Sequence, residues 1–132
     1  MVLMQRTWRQ MFEQVIINQD QFSKIKTMLN DKTTAVVYLP NHRSHLDYLL
    51  LTYVHWFYNQ QLPYVCGTEK FLHISFVTKI LRASGGFFIE REQLKKRVYK
   101  AILQEYVDQL LKQKASLEHF SEMERSRTGK TR

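Results

Sequence analysis

The stretch Leu39–Leu51, LPNHRSHLDYLLL, decides the fold of this chain. The short β-branched run Ala35–Leu39 leads into it and predicts a buried strand, which Pro40 ends because proline lacks a backbone N–H. The longer run Leu46–Leu51 is rich in leucine and predicts a helix. The polar cluster Asn41–His45 therefore lies at a strand-to-helix turn. In α/β proteins the ligands bind there, outside the carboxyl ends of the strands.

The spacing within this cluster suggests a catalytic pair. His42 and Asp47 are five residues apart, so on one continuous helix about 140° would separate them and they could not meet. If the helix begins near Ser44, His42 lies in the loop and the Asp47 carboxylate can orient one ring nitrogen, leaving the other to accept a proton. The alternative interpretation is structural: Ser44 caps the helix, and the helix dipole favours Asp47 in the first turn.

The rest of the chain alternates between strand-like and helix-like patterns. Such alternation predicts an α/β fold: a mainly parallel sheet flanked by helices. We expect one domain over 1–132, in which an N-terminal helix at 5–30 precedes a core at 35–130 that carries the motifs. The elements predicted within this core are strands at 35–39, 63–66, 87–89 and 117–120, and helices at 46–58, 69–83 and 93–114.

Composition limits the possible partners. The 132 residues carry a net charge of +8, which favours an anionic partner such as a phosphate ester, coenzyme A, acidic lipid or nucleic acid. Cys66 is the only cysteine, which excludes a disulfide framework. No apolar run reaches the roughly 18 residues of a membrane span. His42, His45 and Asp47 lack a fourth ligand nearby, so no metal site is predicted.

Three motifs carry a resemblance to a known family. The string NHRSHLDYLLL resembles the first motif, H-x-x-x-x-D, of the glycerolipid acyltransferases, and HRSHLDYLLLTY is similar to the glycerol-3-phosphate acyltransferases, including the mitochondrial type. Gly85–Arg91, GGFFIER, resembles the second motif, G-x-F-F-I-x-R. Phe120–Lys130, FSEMERSRTGK, resembles the third, F-x-E-G-x-R-S-R-x-G-K. The motifs occur in the family's order and cover 35–130.

The resemblance implies acyl transfer from a long-chain acyl-CoA, as co-substrate, to the hydroxyl of glycerol 3-phosphate, giving lysophosphatidic acid without a cofactor. His42 would be the general base and Asp47 would orient it. The resemblance also implies a set of substrate-binding residues, which are arginines, glycines and one glutamate at or next to the motifs. They are Arg91 and Arg125 for the phosphate, Arg43 and Arg127 next to motif positions, Gly85 and Gly86 for close approach of the backbone to a ligand, and Glu122 as an anchor for an arginine or the loop.

A lipidic donor and product imply a protein at a membrane surface, with the mitochondrial outer membrane expected before the peroxisome or endoplasmic reticulum. Dihydroxyacetone-phosphate acyltransferases share the motifs and are the alternative enzyme class. Glu90, Met123 and Glu124 depart from the motifs and a fourth motif is missing, so a fragment or a non-catalytic remnant that binds lipid or a partner is a second alternative. A nucleic-acid binder ranks last, since no pattern beyond charge supports it.

Overall fold

A computed structural model of the chain describes residues 2–44, 46–69 and 75–120. Its centre is a four-stranded sheet in the order β1-β4-β2-β3, and all neighbouring strands are parallel. The predicted α/β class with a parallel sheet is therefore confirmed. The strands are β1 (Val37–Tyr38), β2 (Tyr64–Thr68), β3 (Phe87–Ile89) and β4 (Leu117–His119).

Five α-helices surround or precede this sheet within the described ranges. They are α1 (Val2–Met11), α2 (Gln19–Asn30), α3 (Asp47–Phe57), α4 (Ser75–Ala83) and α5 (Arg97–Lys112). A 3₁₀ turn, Arg91–Lys95, precedes α5, so the α-helix predicted from 93 begins only at Arg97. No helix in the described part of the chain has both the length and the apolar character needed to cross a bilayer.

The single N-terminal helix predicted over 5–30 is wrong, because α1 and α2 are separate. The side chain of Asn18 caps α2 by accepting a hydrogen bond from the N–H of Gln21 at 3.0 Å. The β-branched run Val15–Ile17 precedes this cap and has no helical structure, in keeping with its weak helix propensity. Amphipathic spacing continues through the break, which is why the periodicity alone did not reveal it.

The hydrophobic core lies between the sheet and α5. Leu110, Ala115 and Leu117 are buried there. A positive φ of 59° at Lys114 ends α5, and the chain then turns directly into β4. This short connection places β4 between β1 and β2, with Leu117 opposite both Val37 and Tyr64. The residues that pack against this core are Tyr64, Phe87, Val107 and Leu111.

A polar contact joins the sheet to α3. The ring of His55 is fully buried, and its Nδ1 lies 2.9 Å from the carbonyl oxygen of Leu51. Nδ1 must donate there, so Nε2 accepts from the hydroxyl of Tyr38 at 2.8 Å. Burial lowers the pKa of His55, which keeps the ring neutral. In the sequence His55 lies on an apolar helix face, which predicts a packing residue, and the structure confirms this role.

Candidate active site

The carboxyl ends of the parallel strands bring separate motifs to one edge of the sheet. The loop after β1 carries His42, and Phe120 follows β4. Because β1 and β4 are neighbours, the rings of His42 and Phe120 lie 4.7 Å apart. Arg91 follows β3 at the same edge. The first motif therefore meets the start of the third, at the place where α/β sheets hold their ligands.

The structure brings His42 and Asp47 together as the spacing predicts. Nδ1 of His42 lies 3.4 Å from Oδ2 of Asp47, at the long end of hydrogen-bonding range. Side-chain exposure is 17% for His42 and 24% for Asp47, so both are shielded but reachable. With Nδ1 facing the carboxylate, the tautomer that donates from Nδ1 is favoured and Nε2 becomes the basic nitrogen. This geometry orients a general base.

Asp47 also holds the loop that positions His42. Its Oδ2 accepts hydrogen bonds from the backbone N–H groups of Arg43 at 2.7 Å and Ser44 at 2.8 Å. The structural alternative is confirmed in one part, since Asp47 lies in the first turn of α3. Its other part is wrong, because Leu46, not Ser44, precedes the helix and no side chain caps it. The Ser44 hydroxyl instead accepts from the N–H of Leu46 at 3.2 Å. One carboxylate thus shapes the loop and faces the imidazole.

The turn between α4 and β3 requires glycine at positions 85 and 86 for structural reasons. Gly85 has a φ of 88°, which favours glycine, and its N–H donates to the carbonyl of Arg82 at 3.1 Å. The N–H of Gly86 donates to the carbonyl of Leu81 at 2.7 Å, completing a Schellman cap of α4. A Cβ on Gly86 would lie 2.7 Å from that carbonyl oxygen. The turn therefore requires both glycines, and their contact with substrate stays a prediction.

The remaining residues predicted to bind substrate differ in their exposure to solvent. Arg91 is partly buried at the start of the 3₁₀ turn, whereas Arg43 is exposed. Glu90 is also exposed, and its backbone N–H donates to the hydroxyl of Tyr99 at 3.0 Å. The other residues singled out in the sequence lie outside the described residues. These are His45, Glu122, Met123, Glu124, Arg125 and Arg127. His73, predicted to pack because it lies on an apolar helix face, is also outside the described residues.

Sequence reasoning missed Glu118, which lies on β4 directly before His119 and Phe120. It is fully buried, and neither carboxylate oxygen has a hydrogen-bond partner among the described residues. Burial and, secondarily, the charge of Asp47 raise the pKa of Glu118 to about 8. Its only sequence signal is its place inside the short predicted strand at 117–120.

The comparison with known families identifies the class of protein. The family described as Acyltransferase matches residues 16–132, which is most of the chain. This match contains the His42–Asp47 pair, the glycine turn and the third motif. The chain belongs to the acyltransferase family.

Curated relatives narrow the resemblance to enzymes of glycerolipid synthesis. The probable mitochondrial glycerol-3-phosphate acyltransferase of Caenorhabditis elegans is 35% identical over 95% of this chain and 18% of that protein. The mouse dihydroxyacetone phosphate acyltransferase is 32% identical over 98% of this chain and 19% of its own length. The mitochondrial glycerol-3-phosphate acyltransferase 1 of the pig is 35% identical over 91% of this chain and 15% of its own length. The chain thus spans less than a fifth of each relative.

Proposed function

We propose that this chain carries the catalytic site for acyl transfer from a long-chain acyl-CoA to the hydroxyl of glycerol 3-phosphate, giving lysophosphatidic acid. The observation that carries the proposal is the 3.4 Å approach of the His42 ring to Asp47 at the carboxyl edge of the parallel sheet. Relatives named as glycerol-3-phosphate acyltransferases, including mitochondrial ones, support this acceptor.

The reaction uses His42 as a general base. Nε2 takes the proton of the acceptor hydroxyl while its oxygen attacks the thioester carbonyl. The C–S bond then breaks, and the imidazolium returns the proton to the departing thiolate of coenzyme A. Asp47 stabilises the transient imidazolium and holds the loop through Arg43 and Ser44. General base catalysis of this kind contributes on the order of 10²–10⁴-fold.

The acceptor phosphate needs fixed positive charge. Arg91, beside the site at the end of β3, is our first candidate, because a guanidinium presents paired donors to phosphate oxygens. Arg125 and Arg127 of the third motif, with Arg43 and Glu122, complete the proposed binding set, and Gly85 and Gly86 allow close approach of the backbone. No cofactor is required, because the thioester already has a good leaving group.

Dihydroxyacetone phosphate is the second candidate acceptor. Relatives named as dihydroxyacetone phosphate acyltransferases match this chain at 32–33% identity, close to the 35% of the mitochondrial glycerol-3-phosphate enzymes. Both acceptors offer a primary hydroxyl and a phosphate, so the same base and arginines serve either one. An assay with the two acceptors side by side separates them.

We also propose that the protein works at a membrane surface, with the mitochondrial outer membrane as the first candidate. An exposed apolar surface, in which Phe12, Val15 and Phe57 line one cavity, supports this. It is formed where the α1–α2 linker meets α3, and we call it the linker patch. Its exposed members are Met11, Phe12, Val15, Ile16 and Phe57, and Arg6 and Arg9 precede it on α1. Exposed apolar side chains next to arginines suit an anionic lipid surface.

The decisive experiment measures transfer of a radiolabelled palmitoyl group from palmitoyl-CoA to each acceptor by the wild type and by His42→Ala. We expect loss of at least about a hundredfold in turnover with unchanged circular dichroism. His119→Ala is the matched control, since His119 is an exposed histidine on β4, and it should retain turnover. A His42→Ala enzyme as active as wild type would refute the base role. An inactive wild type would favour the non-catalytic alternative.

A further inference from the structure

Glu118 lies on the sheet face that α3 covers, opposite the hydrophobic core. Leu117 packs with Leu110 on the α5 side, and side chains alternate along a strand, so Glu118 points to the other face. There it pairs in register with Tyr38 on β1 and Val65 on β2. Tyr38 contacts His55 of α3. The side chain of Glu118 therefore lies between the sheet and α3, the helix that begins at Asp47.

Among the described residues of this face, no positive charge is paired with Glu118. Its side chain is 0% exposed, and both oxygens lack a hydrogen-bond partner within the described residues. An unpaired buried carboxylate is costly, so the neutral acid is the stable form. Burial, followed by repulsion from Asp47, raises the pKa of this carboxyl to about 8. At neutral pH the described structure thus holds a protonated acid behind its candidate site.

Among the residues that the structure describes, Asp47 is the charged group that acts on Glu118. From β1, the hydroxyl of Tyr38 donates a hydrogen bond to Nε2 of His55. Burial, followed by the charge of Glu118, raises the pKa of Tyr38 to about 12. From α3, His55 is neutral because burial lowers the pKa of its ring. The paired residue on β2 is Val65, which has no charge. Asp47, at the start of α3, completes the set.

The interaction between Glu118 and Asp47 is reciprocal. If the charge of Asp47 disfavours ionisation of Glu118, then ionisation of Glu118 must disfavour the charge of Asp47 by the same free energy. Two carboxylates at this place would also hold a proton more firmly on the imidazole that faces Asp47. The proton that His42 takes from the acceptor would then pass less readily to the departing thiolate, which slows turnover.

We propose that Glu118 is a positioning residue for the His42–Asp47 pair: a buried carboxylic acid that must stay protonated for Asp47 to act as the single negative charge at His42. This inference rests on the proposed acyl transfer for its consequence in catalysis. Its structural part, a protonated acid beneath α3, stands without it. Above the pKa of Glu118 the second charge appears, and acyl transfer falls.

The first test is the pH profile of kcat/KM between pH 6 and pH 10 for wild type, Glu118→Gln and Glu118→Met. Neither replacement can ionise, and methionine nearly matches glutamate in length. We expect the wild-type profile to fall roughly tenfold per pH unit above about pH 8, and this fall to be absent from both variants. Glu105→Gln, at an exposed position on α5, should keep the wild-type profile. An alkaline fall shared by all four proteins overturns the proposal.

The second test needs no activity and separates this inference from the proposed function. The carboxyl carbon of Glu118, in protein labelled with ¹³C-glutamate, is followed by NMR from pH 3 to pH 10, and Glu118→Gln assigns the signal. We expect a midpoint near pH 8, with the His42 ring signals responding at that midpoint in wild type but not in Glu118→Gln. A midpoint near 4.5, the ordinary value, overturns the proposal whether or not any protein transfers acyl groups.

Discussion

The ring of Phe120 packs against the ring of His42, with centroids 4.7 Å apart and an angle of 49° between the planes. This contact spans 78 positions of the chain and exists because β1 and β4 are adjacent and parallel. Phe120 opens the third motif, whereas His42 belongs to the first. The aromatic residue of one motif thus limits the movement of the candidate base of the other.

Loss of this ring should impair turnover more than substrate binding. Phe120→Ala removes the ring that packs against His42. A misplaced base lowers the rate, because proton transfer depends on geometry. We expect kcat to fall about tenfold to a hundredfold with a much smaller change in KM. Phe120→Tyr keeps the ring and is the matched control. Equal kcat in Phe120→Ala and wild type would show that Phe120 does not position His42.

The linker patch contains the most exposed of the large apolar side chains. Ile16 is 83% exposed and Phe57 is 61% exposed. Behind them, a cavity of about 210 Å³ is lined by Trp8, Phe12 and Tyr53, among other residues. Another exposed apolar stripe, which includes Val98 and Ile102, lies on α5 and gives an internal comparison. Basic residues flank both surfaces, since Lys96, Arg97 and Lys100 lie beside the α5 stripe. The linker patch differs because some of its members also line this cavity.

A matched pair of substitutions tests the linker patch as a lipid-binding surface. Ile16→Asp should weaken binding to phosphatidylcholine vesicles that contain cardiolipin by roughly tenfold or more, since burying one isoleucine contributes about 1.5–3 kcal/mol. Ile102→Asp makes the same change at a side chain 65% exposed on α5 and should bind like wild type. Vesicle co-sedimentation measures both. Equal loss in the two variants would indicate non-specific adhesion, and no loss in either would exclude the linker patch.

Local sequence signals predicted the elements of the fold but not their arrangement. The apolar runs on either side of Asn41–His45 located β1 and α3, and the five-residue spacing of His42 and Asp47 predicted their contact. The insertion of β4 between β1 and β2 was not predicted, because strand order depends on contacts distant in sequence. The proximity of His42 and Phe120 follows from that order, and so it could be described only from the structure.

The burial of Glu118 and the double role of Asp47 were not predicted, because the same residue type can have different structural roles. A glutamate in a short strand is ordinarily a solvent-facing residue, yet Glu118 is fully buried since α3 covers that face of the sheet. Asp47 was assigned one role at a time, helix start or histidine partner. The structure shows that one oxygen, Oδ2, serves both the loop backbone and the imidazole. Such shared use depends on loop geometry that spacing does not encode.

The buried acid should also make folding stability depend on pH in an unusual direction. Glu118 has a raised pKa of about 8 in the folded state against an ordinary value of 4.5. Between these values the folded state retains a proton that the unfolded chain releases, so stability is greatest below about pH 4.5 for this group and declines as pH rises to about 8. Above that pH both states are ionised and this contribution is constant.

Urea unfolding of wild type and Glu118→Gln at several pH values between 5 and 9 measures this contribution. We expect the free energy of unfolding of wild type, relative to Glu118→Gln, to decrease by a few kcal/mol across this range, because each pKa unit corresponds to about 1.4 kcal/mol. The difference isolates Glu118, since all other titrating groups are common to both proteins. Glu105→Gln, measured in the same way, should parallel wild type because its carboxylate is exposed. Parallel curves for wild type and Glu118→Gln would show that Glu118 is ionised in the folded state and that burial does not hold its proton.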